Sequence, residues 1–178
     1  PNIDLVSIDQ MMKVEQDNPT YCESTMGIHP CYIEKNFEKQ LYVVEDWLSK
    51  RSFVAIGEIG IDLYWDKSLV KEQKEAFKIQ IELAKKHDLP VIIHGRDATE
   101  EIFSVLRSVQ DEKLTGVFHC FGGSIEEANQ IIELGLHIGI GGVVTFKKAG
   151  LADVLPKVDL AKIVLSLIHI SEPTRLGM

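Results

Sequence analysis

Three residues of metal-ligand type stand in matching places along this sequence. Glu58 follows the apolar run Phe53-Val54-Ala55-Ile56 and lies between Gly57 and Gly60. His94 closes the run Leu89-Pro90-Val91-Ile92-Ile93, and His119 closes Thr115-Gly116-Val117-Phe118. Glutamate is rarely buried unless it is paired or binds a cation. Carboxylate and imidazole together suit hard or borderline divalent ions. A carboxylate has two oxygens and can bridge two ions, and such a centre can activate water against an ester, an amide or a phosphodiester. Alone, Glu58 also fits a solvated strand end. Alone, either histidine fits a core imidazole satisfied by backbone. One such residue ending each of three successive strands favours ligands over three coincidences.

The elements that position them alternate between strand and helix. A helix around Ser7 to Glu15 precedes a short strand within Tyr21 to Gly27, closed by Gly27-Ile28-His29-Pro30. Proline cannot continue a ladder. Asn36 is placed as an N-cap, and Phe37, Leu41, Val44 and Leu48 have helical spacing. Val54 to Gly57 is the strand that delivers Glu58, with Gly60 letting the chain turn away. A long amphipathic helix is predicted from about Leu69 to His87, with Leu69, Gln73, Phe77, Ile81 and Ala84 on one face. Asp97 and Glu100 resemble a helix N-cap arrangement ahead of the stripe Ile102, Leu106 and Val109. Ser124-Ile125-Glu126-Glu127 is a capping box, and Gly135 is the natural stop of its helix. His137 to Ile140, a weaker helix around Ala149 to Leu155, and a strand from Lys162 to Leu165 complete the series.

Near-continuous apolar strands joined by helices predict an α/β fold with a buried parallel sheet. An open doubly wound sheet and a (β/α)8 barrel both remain possible on this pattern. The first strand has no Gly-rich phosphate loop, which weakens a dinucleotide-binding reading. About six strand-plus-helix units are legible, whereas a full barrel usually takes ~250 residues. In a barrel all strand C-termini open on one face, where Glu58, His94 and His119 would converge.

The bulk numbers narrow the partners. The chain has 178 residues, 45% of them hydrophobic, enough for one domain with a core. A formal net charge of −8 excludes a general basic surface for nucleic acid. Nucleic acid would then be met by a local site carrying metal charge. No apolar run is long enough to span a bilayer, no signal peptide is legible at Pro1-Asn2-Ile3-Asp4, and no protein partner is readable. Three cysteines, Cys22, Cys31 and Cys120, form no close pair. They argue against a disulfide framework and for a reducing, cytoplasmic setting. Cys31 and Cys120 are expected as small buried hydrophobes.

Four segments together resemble a known family. Gly27-Ile28-His29-Pro30, Gly57-Glu58-Ile59-Gly60-Ile61-Asp62, Val91-Ile92-Ile93-His94-Gly95-Arg96-Asp97-Ala98 and Phe118-His119-Cys120-Phe121-Gly122-Gly123 are similar to the successive motifs of the TatD metal-dependent hydrolases. Gln73, Phe77, Gln80, Leu83 and Ala84 match that family's long-helix pattern. The resemblance implies a (β/α)8 TIM-type barrel of the amidohydrolase-like class, present here from about strand 2 or 3 to strand 8. It implies two divalent metals, Mg, Mn or Zn, and deoxyribonuclease activity on DNA, often 3′-to-5′. Glu58 would bridge the ions, and His94 and His119 would bind one of them. Arg96 and His29 would lie beside the site, toward substrate phosphate; the plainer readings are a surface salt bridge for Arg96 and a loop-capping imidazole for His29. Asp62 and Asp97 would support or cap rather than bind. Other ester, amide or aminoacyl-ester hydrolysis on the same scaffold is the alternative.

The sequence also departs from that pattern. The family's His-x-His pair has no counterpart before His29. Ile168 stands where the family's last ligand, an aspartate, is expected. Residues from Leu165 to Arg175 resemble a translated sequencing-library adapter, so 1–165 reads as a partial hydrolase domain and 166–178 as a tail. The alternative is a divergent last strand in which His169 replaces the aspartate. With three ligands rather than six, this polypeptide is expected to be an inactive or nearly inactive fragment of a nuclease.

Overall fold

The computed structural model describes residues 1–166. The expectations for Ile168 and His169, and for all of the tail except Ser166, lie outside the described residues.

Six strands form one parallel sheet in sequence order: β1 (Thr25–Met26), β2 (Ala55–Asp62), β3 (Val91–Arg96), β4 (Gly116–Phe118), β5 (Leu136–Ile140) and β6 (Ile163–Leu165). Each strand pairs in parallel with the next. The strand order never reverses, so there is no switch point of the doubly wound kind. Crossovers of one hand then carry the helices to one face of the sheet. This is the winding of a (β/α) barrel wall, and it decides between the two closures left open by the pattern.

The helices are α1 (Ile8–Asp17), α2 (Phe37–Lys50), α3 (Val70–Lys86), α4 (Thr99–Val109), α5 (Ile125–Glu133) and the short α6 (Leu151–Val154). Their apolar stripes close a single core with the strands. Phe77, Ile81, Ile102, Phe103 and Leu106 are fully buried against Ile56, Ile59, Ile61 and Ile93. The Ser124 capping box forms with both of its bonds, and Gly135 takes a left-handed φ of 84° just past α5.

Several local expectations are corrected. β2 does not end at Gly57 but runs buried through Asp62, with a register shift against β3 between Ile56 and Ile59. Gly60 is therefore a strand residue. Its φ of 143° lets the backbone lie against His94, whose carbonyl would be 2.0 Å from an added Cβ. Asn36 sits at the N-cap of α2 without a side-chain bond, and the N-cap of α4 is Ala98 rather than Asp97. Cys31 and Cys120 are exposed, not buried: Cys31 lies in the short helical turn Pro30–Tyr32 and Cys120 in the turn two residues past β4. No helix among the described residues is long and apolar enough to cross a membrane.

Candidate metal centre

Glu58 sits inside the register shift of β2, where an irregular strand re-aims one side chain without ending the ladder. The carboxylate is 3% exposed. Its backbone N–H donates to the carbonyl of buried Asn2 at 3.3 Å, and the Asn2 amide in turn donates to the Gly27 carbonyl.

Three imidazoles face one oxygen of this carboxylate. His94 Nδ1 lies 3.0 Å from Glu58 Oε1, His119 Nε2 lies 3.9 Å from it, and His29 Nε2 lies 4.0 Å from it. His94 comes from inside β3, His119 from the residue after β4, and His29 from the turn after β1. Neighbouring parallel strands therefore deliver all four groups to one end of the sheet. His87 is the C-cap of α3 and His137 is the second residue of β5, both at the opposite end of the wall.

The histidines are held differently. The His94 ring is clamped on both sides, by Glu58 at Nδ1 and by Asp62 Oδ2 at Nε2, 2.9 Å away. Burial works against a charged His94, but the two carboxylates outweigh it and raise its pKa. Burial alone would raise the Glu58 pKa, yet the neighbouring imidazoles, led by the His94 hydrogen bond, bring it below the usual value. His119 is held by Ser166 Oγ at Nδ1, and burial lowers its pKa. Its Nε2 is buried and has no hydrogen-bond partner.

His29 Nδ1 accepts the N–H of Cys31 at 3.2 Å, so the imidazole caps the short turn Pro30–Tyr32. Burial and the adjacent charge of His94 push its pKa down to about 4. The neutral ring then carries its proton on Nε2, facing Glu58. A ring with Nδ1 engaged as acceptor and Nε2 protonated offers a donor, not a lone pair. This separates His29 from His119, although the ligand-type atoms of His29, Glu58 and His94 all lie within 4.8 Å of one another.

The residues fit a divalent ion. Bonds of about 2.0–2.2 Å to oxygen and imidazole nitrogen let one ion join atoms up to roughly 4.2 Å apart. The 3.9 Å between His119 Nε2 and Glu58 Oε1 and the 4.0 Å between His29 Nε2 and the same oxygen are both within that reach, and the compact group of ligand-type atoms is His29, Glu58 and His94. A buried, unpartnered, neutral nitrogen is costly unless a donor or cation meets it. Asp62 supplies the carboxylate that metal-binding histidines usually hold with their other nitrogen.

Arg96 follows two residues after His94 and is exposed. Its guanidinium stacks 3.6 Å from the centroid of the Tyr64 ring. Among the described residues it forms no ion pair. Beside it opens a cleft of about 370 Å3, lined by Arg96, Asp97, Cys120, Phe121, Gly122 and Gly123. Asp97 takes no part in the carboxylate–imidazole cluster.

Sequence reasoning undervalued two glutamines. Gln73 and Gln80 are buried, seven residues apart on α3. Gln73 accepts the Asp62 N–H at 2.9 Å. Gln80 accepts the Ile28 N–H at 2.7 Å and donates to the Ile28 carbonyl at 3.3 Å. Two polar residues on the apolar face of an amphipathic helix were the signal.

Comparison with known proteins places this geometry in context. A family model described as TatD related DNase matches residues 1–166. An uncharacterized metal-dependent hydrolase of Bacillus subtilis, YabD, is 41% identical over 126 residues, covering 71% of this chain and 49% of that protein. A 3′-5′ ssDNA/RNA exonuclease TatD of Pantoea ananatis is 32% identical over 158 residues, 88% of this chain and 61% of that protein. The crystal structure of YjjV, a TatD homologue from Escherichia coli, superposes with a TM-score of 0.86 at 30% identity, covering 94% of this chain and 65% of that one. The chain thus spans about half to three fifths of the length of the curated relatives it matches.

Proposed function

From the chain's membership of the TatD-related DNase family, we propose that its centre serves the metal-dependent hydrolysis of phosphodiester bonds in single-stranded DNA, proceeding 3′-to-5′. The relatives named as ssDNA/RNA exonucleases support the substrate class. The observation that carries the reading is the buried Glu58 carboxylate, faced by three imidazoles of which one, His119, has an unpartnered Nε2.

Glu58, His94 and His119 would hold a divalent ion, and Glu58 has a second oxygen to share with another. Divalent ions, when bound, would supply an acidified water and neutralise charge on the scissile phosphate. The protein's own groups do the rest. Asp62 fixes the His94 ring and keeps its Nδ1 aimed at Glu58. The protonated Nε2 of His29 is a hydrogen-bond donor beside the carboxylate, placed to meet a phosphate oxygen. The N–H edges of Arg96, free of any carboxylate among the described residues, suit a phosphate by their fork geometry. Burial lowers the local dielectric around Glu58, Asp62 and His94 and strengthens the contacts among them.

The test uses the complete reading frame that encodes this chain. With a 5′-labelled single-stranded oligonucleotide and Mg, Mn or Zn ions, we expect stepwise shortening from the 3′ end. Chelator abolishes it, and Glu58→Gln reduces it at least a hundredfold. Cleavage that survives Glu58→Gln, or hydrolysis of esters or amides with none of DNA, would contradict the reading.

A further inference from the structure

Two large aromatic side chains stand in solvent at the mouth of the centre. Tyr64 is 52% exposed and Trp65 is 72% exposed. Their rings meet edge to face, with centroids 4.8 Å apart and planes at 89°. The Arg96 guanidinium lies 3.6 Å from the Tyr64 centroid and 5.5 Å from that of Trp65. An aromatic pair that is not in the core, carrying a cation with no carboxylate partner among the described residues, has the composition of a surface on which a base stacks.

The placement is fixed to the metal centre. Asp62 and Arg96 are register partners on β2 and β3. Asp62 holds His94 with Oδ2 and accepts the Tyr64 N–H at 3.0 Å with Oδ1. The Leu63 N–H donates to the Arg96 carbonyl at 2.9 Å. One aspartate therefore ties the ligand histidine to the backbone of the first shelf residue. Arg96 closes the other side two residues beyond His94.

We propose that Tyr64, Trp65 and Arg96 form a stacking shelf for an unpaired nucleobase of the strand whose phosphate enters the Glu58 centre. The inference rests on the phosphodiesterase reading above and adds how the substrate is gripped. A base within a duplex has both faces covered by its neighbours, so the shelf admits single strands. Stacking reads no sequence, because every base has a π-face. The Arg96 guanidinium lies over the Tyr64 ring, and its N–H groups suit the adjoining phosphate.

Binding is measured in chelator, where no hydrolysis occurs, on the complete reading frame that encodes this chain. The probes are a short oligothymidine and the same backbone with abasic sites. Trp65 is one of two tryptophans in the chain, and the Trp47→Phe variant leaves it as the reporter. We expect oligothymidine to quench its fluorescence saturably and the abasic backbone not to. Read by the anisotropy of a fluorophore-labelled oligothymidine, Tyr64→Ala/Trp65→Ala should weaken binding about tenfold or more, while Tyr64→Phe retains it. Equal binding of both probes, no binding at all, or an unchanged affinity in the double variant would overturn the shelf. Quenching without metal-dependent cleavage would sink the nuclease reading and leave the shelf. Cleavage with an unaffected double variant would do the reverse.

Discussion

Asp62 Oδ2 lies 2.9 Å from His94 Nε2, on the side of the ring opposite Glu58. The aspartate is 2% exposed. It is held in turn through its backbone N–H by Gln73. A histidine clamped in this way is held in the orientation that the proposed metal-ligand role requires. Removing the carboxylate frees the ring and lowers its basicity. We expect Asp62→Ala to weaken Mn or Zn binding about 10–100-fold, with a smaller loss in Asp62→Asn, which keeps an acceptor. Calorimetric titration of the metal measures both, and an unchanged affinity in Asp62→Ala contradicts the clamp.

Gly60 makes a second prediction, on stability. Its φ of 143° is unfavourable for any side chain, and an added Cβ would stand 2.0 Å from the His94 carbonyl oxygen. Gly60→Ala should destabilise the fold by roughly 3 kcal/mol, combining backbone strain and overpacking. Gly142 has nothing within 4 Å of the same position, so Gly142→Ala should change stability little. Urea unfolding of the two variants decides this, and similar midpoints would contradict it.

Gln80 saturates both backbone groups of buried Ile28, the residue before His29. Gln80→Leu would leave a buried N–H and a buried carbonyl unpaired, at about 1–3 kcal/mol each. The expected outcome is a protein less stable by ~2–6 kcal/mol, read by urea unfolding. A leucine variant as stable as the parent would show that the clamp is dispensable.

A prediction on pH concerns a pair far from the centre. Arg51 donates to both oxygens of Glu15, at 2.6 and 3.0 Å, tying α1 to the end of α2. The Arg51 hydrogen bond lowers the Glu15 pKa from 4.5. A lowered folded-state pKa means that the stabilisation is full above the unfolded pKa and fades as pH falls through the folded one. Both side chains are partly solvent-exposed, so the pair is worth about 0.5–1 kcal/mol. Glu15→Gln should therefore be less stable than the parent at pH 7, and the difference should shrink as the pH falls below the ordinary glutamate value of 4.5. A difference that does not shrink with acidification would contradict the ion-pair origin.

Much of this was legible in the residues. Glu58, His94 and His119 end up around one oxygen because consecutive parallel strands share a direction, and that follows from order alone. Periodicity placed α3 and the Ser124 cap within a residue or two. It misplaced the end of β2, because Gly57 and Gly60 look like a turn in sequence whereas here they bring two backbones together. The N-cap of α4 was missed for a similar reason. Asp97 has the right side chain but takes a φ of 51°. The clamps by Asp62, Gln73, Gln80 and Asn2 join residues distant in sequence, so no local pattern reveals them. The donor role of His29 needed the Cys31 N–H, which only the folded turn presents.

The most direct test of the centre is the metal stoichiometry of the 178-residue chain, by equilibrium dialysis against Mn or Zn and elemental analysis. We expect at least one ion per chain. Glu58→Gln and His119→Leu should each lose it, while His29→Gln retains it as a donor-side substitution. No bound ion in the folded chain, or the same occupancy in all three variants, would contradict the assignment of Glu58 as the carboxylate that holds the metal.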